Sequence, residues 1–252
     1  MIDYQNADEQ FFAIDYLNRL TAEAQKKRAK KATTLQLDNS NAVSIDIGWK
    51  YRVEMGVIDY YNRQEINAVH SENFLWRSFF GLLFWDIIFD TENLAIHHPL
   101  QRSPSDLYKP IFWEKRRNRL VERLEILDQP EELREYLLQI FLEKYATTNP
   151  LVDWFEGLLD WILALIYHVE AEKLKLILLE MAKNIRENTR GFPDLFTWNE
   201  KEYEFVEVKS PTDSLSNQQL YWLRFFEKIG VKSKVLRVEW SKVDLEELKS
   251  AE

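Results

Sequence analysis

The sequence predicts an α/β chain, mostly helical through its first three-quarters and β-β-α-β at its C-terminal end. Three observations carry this. Apolar residues recur at helical spacing up to about residue 186, and near Gly191 the period switches to strict alternation. The 252 residues are 46% apolar and 30% charged, with only 6 Gly and 7 Pro, a composition that builds cores and excludes disordered or collagen-like chains.

Residues 1–42 read as a polar helical arm, in which Phe11, Phe12, Ile14 and Leu17 share a face ahead of the run Lys26-Lys27-Arg28-Ala29-Lys30-Lys31. That run reads either as a solvated helix face or as a non-specific phosphate contact. Residues 43–188 form a helical region. Tyr51 to Asn62 has helical spacing, and Ser71-Glu72-Asn73-Phe74 opens a helix so apolar through Phe79, Phe80, Leu82, Leu83, Phe84 and Trp85 that it must be buried. After proline-containing loops at 99–110 comes the basic stretch Lys115-Arg116-Arg117-Asn118-Arg119, and amphipathic helices follow over 131–145 and 153–186. Residues 189–252 form the C-terminal core. Pro193 to Trp198 and Tyr203 to Lys209 flank a polar turn as a hairpin, Ser216-Asn217-Gln218-Gln219 matches a capping box, Gly230 ends that helix, and Val231 to Trp240 is a third strand.

The 33 basic and 42 acidic residues leave a net charge of -9, so a polyanionic partner must be met by local patches. With no cysteine, disulfides, thiolate metal sites and thiol nucleophiles are excluded, and a metal must take carboxylates or the four His. The His residues lack ligand spacing. Met1-Ile2-Asp3-Tyr4 opens no signal peptide, and the most apolar stretches, 79–89 and 158–167, are too short for a bilayer. The expectation is an intracellular protein, cytoplasmic or nucleoid-associated, neither secreted nor membrane-bound.

Tyr203, Phe205, Glu207 and Lys209 point to one face of their strand, because side chains alternate with period two. Hairpin geometry brings Asp194, after a Pro, beside Glu207. Two carboxylates side by side repel unless a cation lies between them, and an all-oxygen site suits Mg²⁺ or Mn²⁺. With Lys209 to hold a water or offset developing charge, the chemistry expected is phosphodiester hydrolysis. A surface strand with a neutralising Glu-x-Lys pair is the competing reading.

Pro193-Asp194 followed by Glu207-Val208-Lys209 is the Pro-Asp…(Asp/Glu)-x-Lys pattern of restriction-endonuclease-like nucleases. The longer stretches 189–195 and 205–219 resemble the VRR-NUC domain. Tyr51 to Asn62, His70-Ser71-Glu72-Asn73 and Gly81 to Phe89 resemble segments of the Fanconi-associated nuclease family in the same order, so the likeness covers residues 43–240. It implies a structure-selective DNA nuclease of phosphodiesterase I type that uses two divalent ions in DNA repair, with 5′-flap endonuclease and 5′-to-3′ exonuclease activity. It also implies Glu72, Asp194, Glu207 and the Val208 carbonyl as ligands and Lys209 as the catalytic lysine. Without the resemblance, Glu72 reads as a first-turn carboxylate favoured by the helix macrodipole. Gln219 reads equally as a helix cap and as a residue facing the site and the DNA. Lys115, Arg116, Arg117 and Arg119 form the expected DNA-binding patch, or a solvated helix.

Two departures stand out: Ser210 where the family commonly has Gly, and Arg190 displaced from the usual basic position. Larger family members carry further DNA-binding and helical-repeat modules that 42 residues cannot hold. The expected partners are flap, branched or 5′-ended duplex DNA, with a homodimer or a second protein supplying the missing modules. The alternatives are a homodimeric resolvase of Holliday-junction type and a non-catalytic DNA-binding scaffold.

Overall fold

The computed structural model describes residues 7–24, 30–90 and 101–241. Most of the charge run at 26–31, together with His97 and His98, lies outside them. The chain divides into two units, one comprising Met1–His70, Pro193–Phe225 and Lys232–Glu252, the other Ser71–Phe192 and Phe226–Val231.

The first unit is built on a five-stranded mixed sheet in the order β1-β5-β4-β3-β2, formed by β1 (Asn41–Asp46), β2 (Asn67–His70), β3 (Leu195–Trp198), β4 (Tyr203–Lys209) and β5 (Ser233–Ser241). β1, β5 and β4 run parallel, and β4, β3 and β2 pair antiparallel. The hairpin turn closes through Asn199, whose Oδ1 accepts from the Lys201 and Glu202 amides at 2.8 and 3.0 Å. Helices α1 (Ala7–Ala24), α2 (Ala32–Asp38) and α3 (Val53–Asn62) come from the N-terminal segment.

Alternation gives the sheet two buried faces. Val206, Val208, Leu236, Val238, Val43, Ile45 and Leu195 pack on one side with Val57 and Tyr61 of α3. On the other, Val235 packs with Phe11 of α1, and with Leu215, Leu220 and Leu223 at the start of the last helix.

Strands β3, β4 and β5 lie where the sequence predicts them. β1 and β2 come from residues assigned to the helical region or the arm, so the sheet has five strands rather than three. β2, Asn67-Ala68-Val69-His70, sets its two apolar residues side by side and so carries no period-two alternation to be read. In α1 the expected shared apolar face does not form: Phe11 is buried at 4% exposure, whereas Phe12 is 69% exposed and Leu17 60%.

The second unit holds α4 (Glu72–Leu83), α5 (Trp85–Ile88), α6 (Ile111–Arg123), α7 (Pro130–Lys144), α8 (Leu158–His168), α9 (Ala171–Lys183) and α10 (Ile185–Asn188). As its all-round apolar sequence requires, α4 is interior, with Leu75, Trp76, Phe79, Phe80, Leu82 and Leu83 fully buried. Trp76 stacks on Phe192 with centroids 5.3 Å apart. No helix among the described residues is long and apolar enough to cross a membrane.

The last helix, α11 (Asn217–Ile229), bears out both of its predicted ends. Ser216 Oγ accepts from the Gln219 amide at 3.2 Å while Gln219 Oε1 accepts from the Ser216 amide at 3.0 Å, a reciprocal capping box. Gly230 takes φ 72°, where an L side chain would be strained, so that the Val231 amide reaches the Phe226 carbonyl at 2.9 Å. Ser216→Ala is expected to cost about 1 kcal/mol, read as a lower urea midpoint at constant m-value.

Candidate active site

The site in the first unit grows from strand register. Leu195 pairs with Val206, so one step further along this antiparallel ladder Asp194 faces Glu207. The chain reaches Asp194 through Gly191, whose φ of 79° turns it sharply, and then through Pro193. Asp194 Oδ2 accepts from the Val208 amide at 2.8 Å, which fixes the first carboxylate to the strand that carries the second.

Glu207 is 1% exposed and Lys209 7%. Lys209 Nζ lies 2.9 Å from Glu207 Oε1 and donates to Gln219 Oε1 at 3.1 Å. Burying two opposite charges this deeply is costly unless they are paired and hydrogen-bonded, which places this pair outside the class of weak surface ion pairs. The cap reading of Gln219 holds, and the oxygen that caps α11 also accepts from the lysine. Gln219 is thereby a positioning residue for Lys209.

Asp194, Glu207, Lys209 and Gln219 are therefore brought together within one unit. The donor chemistry of Asp194, Glu207 and the Val208 carbonyl is all-oxygen, which fits a hard divalent cation such as Mg²⁺ or Mn²⁺. Asp194 and Glu207 together with Lys209 sum to one negative charge, a balance that a cation would complete. As placed, no group of three or more His, Asp or Glu among the described residues converges closely enough to hold an ion.

Glu72 stands in the second unit as the first residue of α4. Its φ is 26°, a positive value that a non-glycine residue adopts only at a cost of roughly 1–3 kcal/mol, and such strain concentrates at functional positions. Asn73 Nδ2 donates to Glu72 Oε1 at 2.9 Å, and Asn73 Oδ1 accepts from the Phe192 amide at 3.2 Å. Both bonds lie within the second unit. The helix-terminal position of Glu72 also satisfies the macrodipole reading.

The expected basic patch is corrected at Arg116. Its side chain is fully buried, with Nη1 donating to Asp106 Oδ2 at 2.8 Å, Nε donating to the Ile87 carbonyl at 3.0 Å, and the guanidinium 4.6 Å from the Phe112 ring centre. It faces the helical core and is closed to DNA. Arg119 is 44% exposed but paired with Asp90 and, at 3.8 Å, Asp86. Lys115 and Arg117 are exposed. Being two apart on a helix they point to different sides, so the basic run does not form a single face.

Sequence reading passed over Arg237. It pairs with Lys209 in the parallel β4–β5 ladder and so occupies the same face of the sheet. The signal available was a charge at an inward position of an alternating strand, two residues after buried Val235.

Comparison with known proteins bears on this geometry. The VRR-NUC domain family model matches residues 128–240. The Fanconi-associated nuclease 1 homolog of Caenorhabditis briggsae is 33% identical over 187 residues, which is 71% of this chain and 21% of that protein. Fanconi-associated nuclease 1 of Homo sapiens is 32% identical over 194 residues, 74% of this chain and 19% of that protein. The chain thus spans about a fifth of the length of the curated relatives it matches. A crystal structure of paFAN1 bound to 2nt 5′-flap DNA with a gap superposes with a TM-score of 0.80 at 26% identity, covering 94% of this chain and 44% of that one. The predicted fold class holds: a mixed α/β chain with a restriction-endonuclease-like core.

Proposed function

This chain carries a VRR-NUC domain and resembles the Fanconi-associated nucleases, and from that premise we propose that it hydrolyses phosphodiester bonds in structured DNA. The observation that carries the reading is Asp194 facing Glu207, with Lys209 two residues on, all on one sheet face. A non-catalytic scaffold would gain nothing from holding Glu207 and Lys209 almost out of water beside half-buried Asp194, since apolar residues of the same volume stabilise a sheet at least as well.

In the reaction, Asp194, Glu207 and the Val208 carbonyl would hold the cation, with Glu72 assigned as a further ligand on the resemblance. A bound divalent ion supplies Lewis-acid polarisation of the phosphoryl oxygen and a more acidic water. Lys209, paired with Glu207 and oriented by Gln219, offsets charge that accumulates on the phosphorane-like oxygens. Gln219 also directs the lysine from the first turn of α11, where the helix terminus favours a phosphate.

The finer reading is 5′-flap endonuclease and 5′-to-3′ exonuclease action with two Mg²⁺ or Mn²⁺ ions, in DNA repair within a DNA-containing compartment. It is supported by the likeness to a nuclease crystallised on 5′-flap DNA. The test is cleavage of end-labelled 5′-flap, 3′-flap, four-way-junction and single-stranded DNA with Mn²⁺, beside the Asp194→Ala variant. Cuts confined to the 5′-flap and absent from the variant are expected. Symmetric cuts in the junction would point instead to a homodimeric resolvase, and no cleavage of any substrate would sink the nuclease reading.

A further inference from the structure

We propose that Arg237 binds a phosphate of the DNA strand lying across the active face, beside the phosphate that is cut. The inference rests on the nuclease reading and adds a substrate contact to it.

Arg237 pairs in register with Lys209 on the neighbouring parallel strand, and side chains at paired positions of a parallel ladder project to the same face. Adjacent strands are about 4.8 Å apart, so its side chain starts one strand away from the catalytic lysine. On the far side its register partner is Ala42 of β1, which carries no charge.

The two cations differ in their surroundings. Lys209 has Glu207 at 2.9 Å. Arg237 is half-buried, and among the described residues no carboxylate forms an ion pair with it. Glu239, two residues on along the same face, is exposed and makes none. Arg237 Nη2 donates to the Ser40 carbonyl at 3.2 Å, and its Nε is buried with no acceptor. A guanidinium stays charged at any physiological pH, and burying a charge with one neutral acceptor is unfavourable. A phosphodiester supplies the missing counter-charge in the planar, two-oxygen form that a guanidinium matches.

A purely structural role is the competing explanation, in which Arg237 fastens the turn before β1 through the Ser40 carbonyl. The two roles separate in DNA binding. With cleavage blocked by EDTA, the affinity of the whole chain for 5′-flap DNA would be measured across a salt series for wild type, Arg237→Gln and Arg237→Lys, together with melting temperatures and steady-state kinetics in Mn²⁺.

The expected result is an affinity loss of about tenfold for Arg237→Gln at moderate salt. Its log–log salt slope should be shallower by about 0.7–0.9, the value of one phosphate contact, and KM should rise. Arg237→Lys should restore the slope and part of the affinity. A lower melting temperature with salt slope and KM unchanged would overturn the proposal in favour of the structural role. Failure of the wild-type chain to cut any DNA would overturn the nuclease reading, whereas wild-type cleavage with an unaltered slope in Arg237→Gln would overturn this inference alone.

Discussion

Glu207→Gln is expected to lower DNA cleavage by about 10³-fold or more, because it removes a proposed metal-ligating carboxylate and the counter-ion of the proposed catalytic lysine together. The same substitution should also destabilise the fold. Glu207 is 1% exposed and lies 2.9 Å from Lys209 Nζ, so the variant leaves a nearly buried ammonium without this carboxylate. Breaking such a pair from one side costs up to about 3–5 kcal/mol. Lys209→Met should do likewise by stranding the carboxylate, yet the double variant should cost clearly less than the two single losses added. Urea unfolding of the four proteins measures that coupling, and simple additivity would show that the two charges do not depend on one another.

Metal linkage provides a readout independent of turnover. A ligand that binds only the native state raises stability by about 2.7 kcal/mol at one hundred times its dissociation constant. Mn²⁺ should therefore raise the melting temperature of the wild-type chain and have little effect on Glu207→Gln or Asp194→Ala. Equal shifts in all three proteins would remove these residues from the metal site.

The second large effect lies in the helical unit. Arg116→Ala should destabilise by about 3–5 kcal/mol, a large share of the 5–15 kcal/mol that holds a typical domain folded. It leaves Asp106, 5% exposed, with no guanidinium, and the Ile87 carbonyl with no donor. Arg116→Met combined with Asp106→Asn should recover part of the loss, because no uncompensated charge remains inside. The affinity of the folded fraction for DNA should be unchanged in both. If Arg116→Ala folded normally and bound DNA less tightly, the basic-patch reading would be restored.

Arg116 and Glu207 show where local sequence suffices and where it does not. Lys115 to Arg119 is a basic run by composition, yet one turn of helix sends Lys115, Arg116 and Arg117 in three directions, and only the arrangement of Asp106 and Ile87 decides which of them is buried. For Glu207 and Lys209 the period of two already places both side chains on one face. The hairpin around Asn199 then fixes the register that sets Asp194 opposite, so this trio was legible because every step linking it is short-range.

The sequence by itself determined the β-β-α-β run, the capping box and Gly230 end of α11, the burial of α4 and the Asp194, Glu207, Lys209 set. Periodicity, capping and hairpin register act over a few residues and leave their mark in local order. Tertiary structure alone decided that β1 and β2 complete the sheet, that Gln219 serves the helix and the lysine with one oxygen, that Glu72 takes a strained backbone, and that Arg237 stands beside Lys209. Each of these depends on segments far apart in the chain meeting in space, and the local pattern of either segment carries no mark of its distant partner.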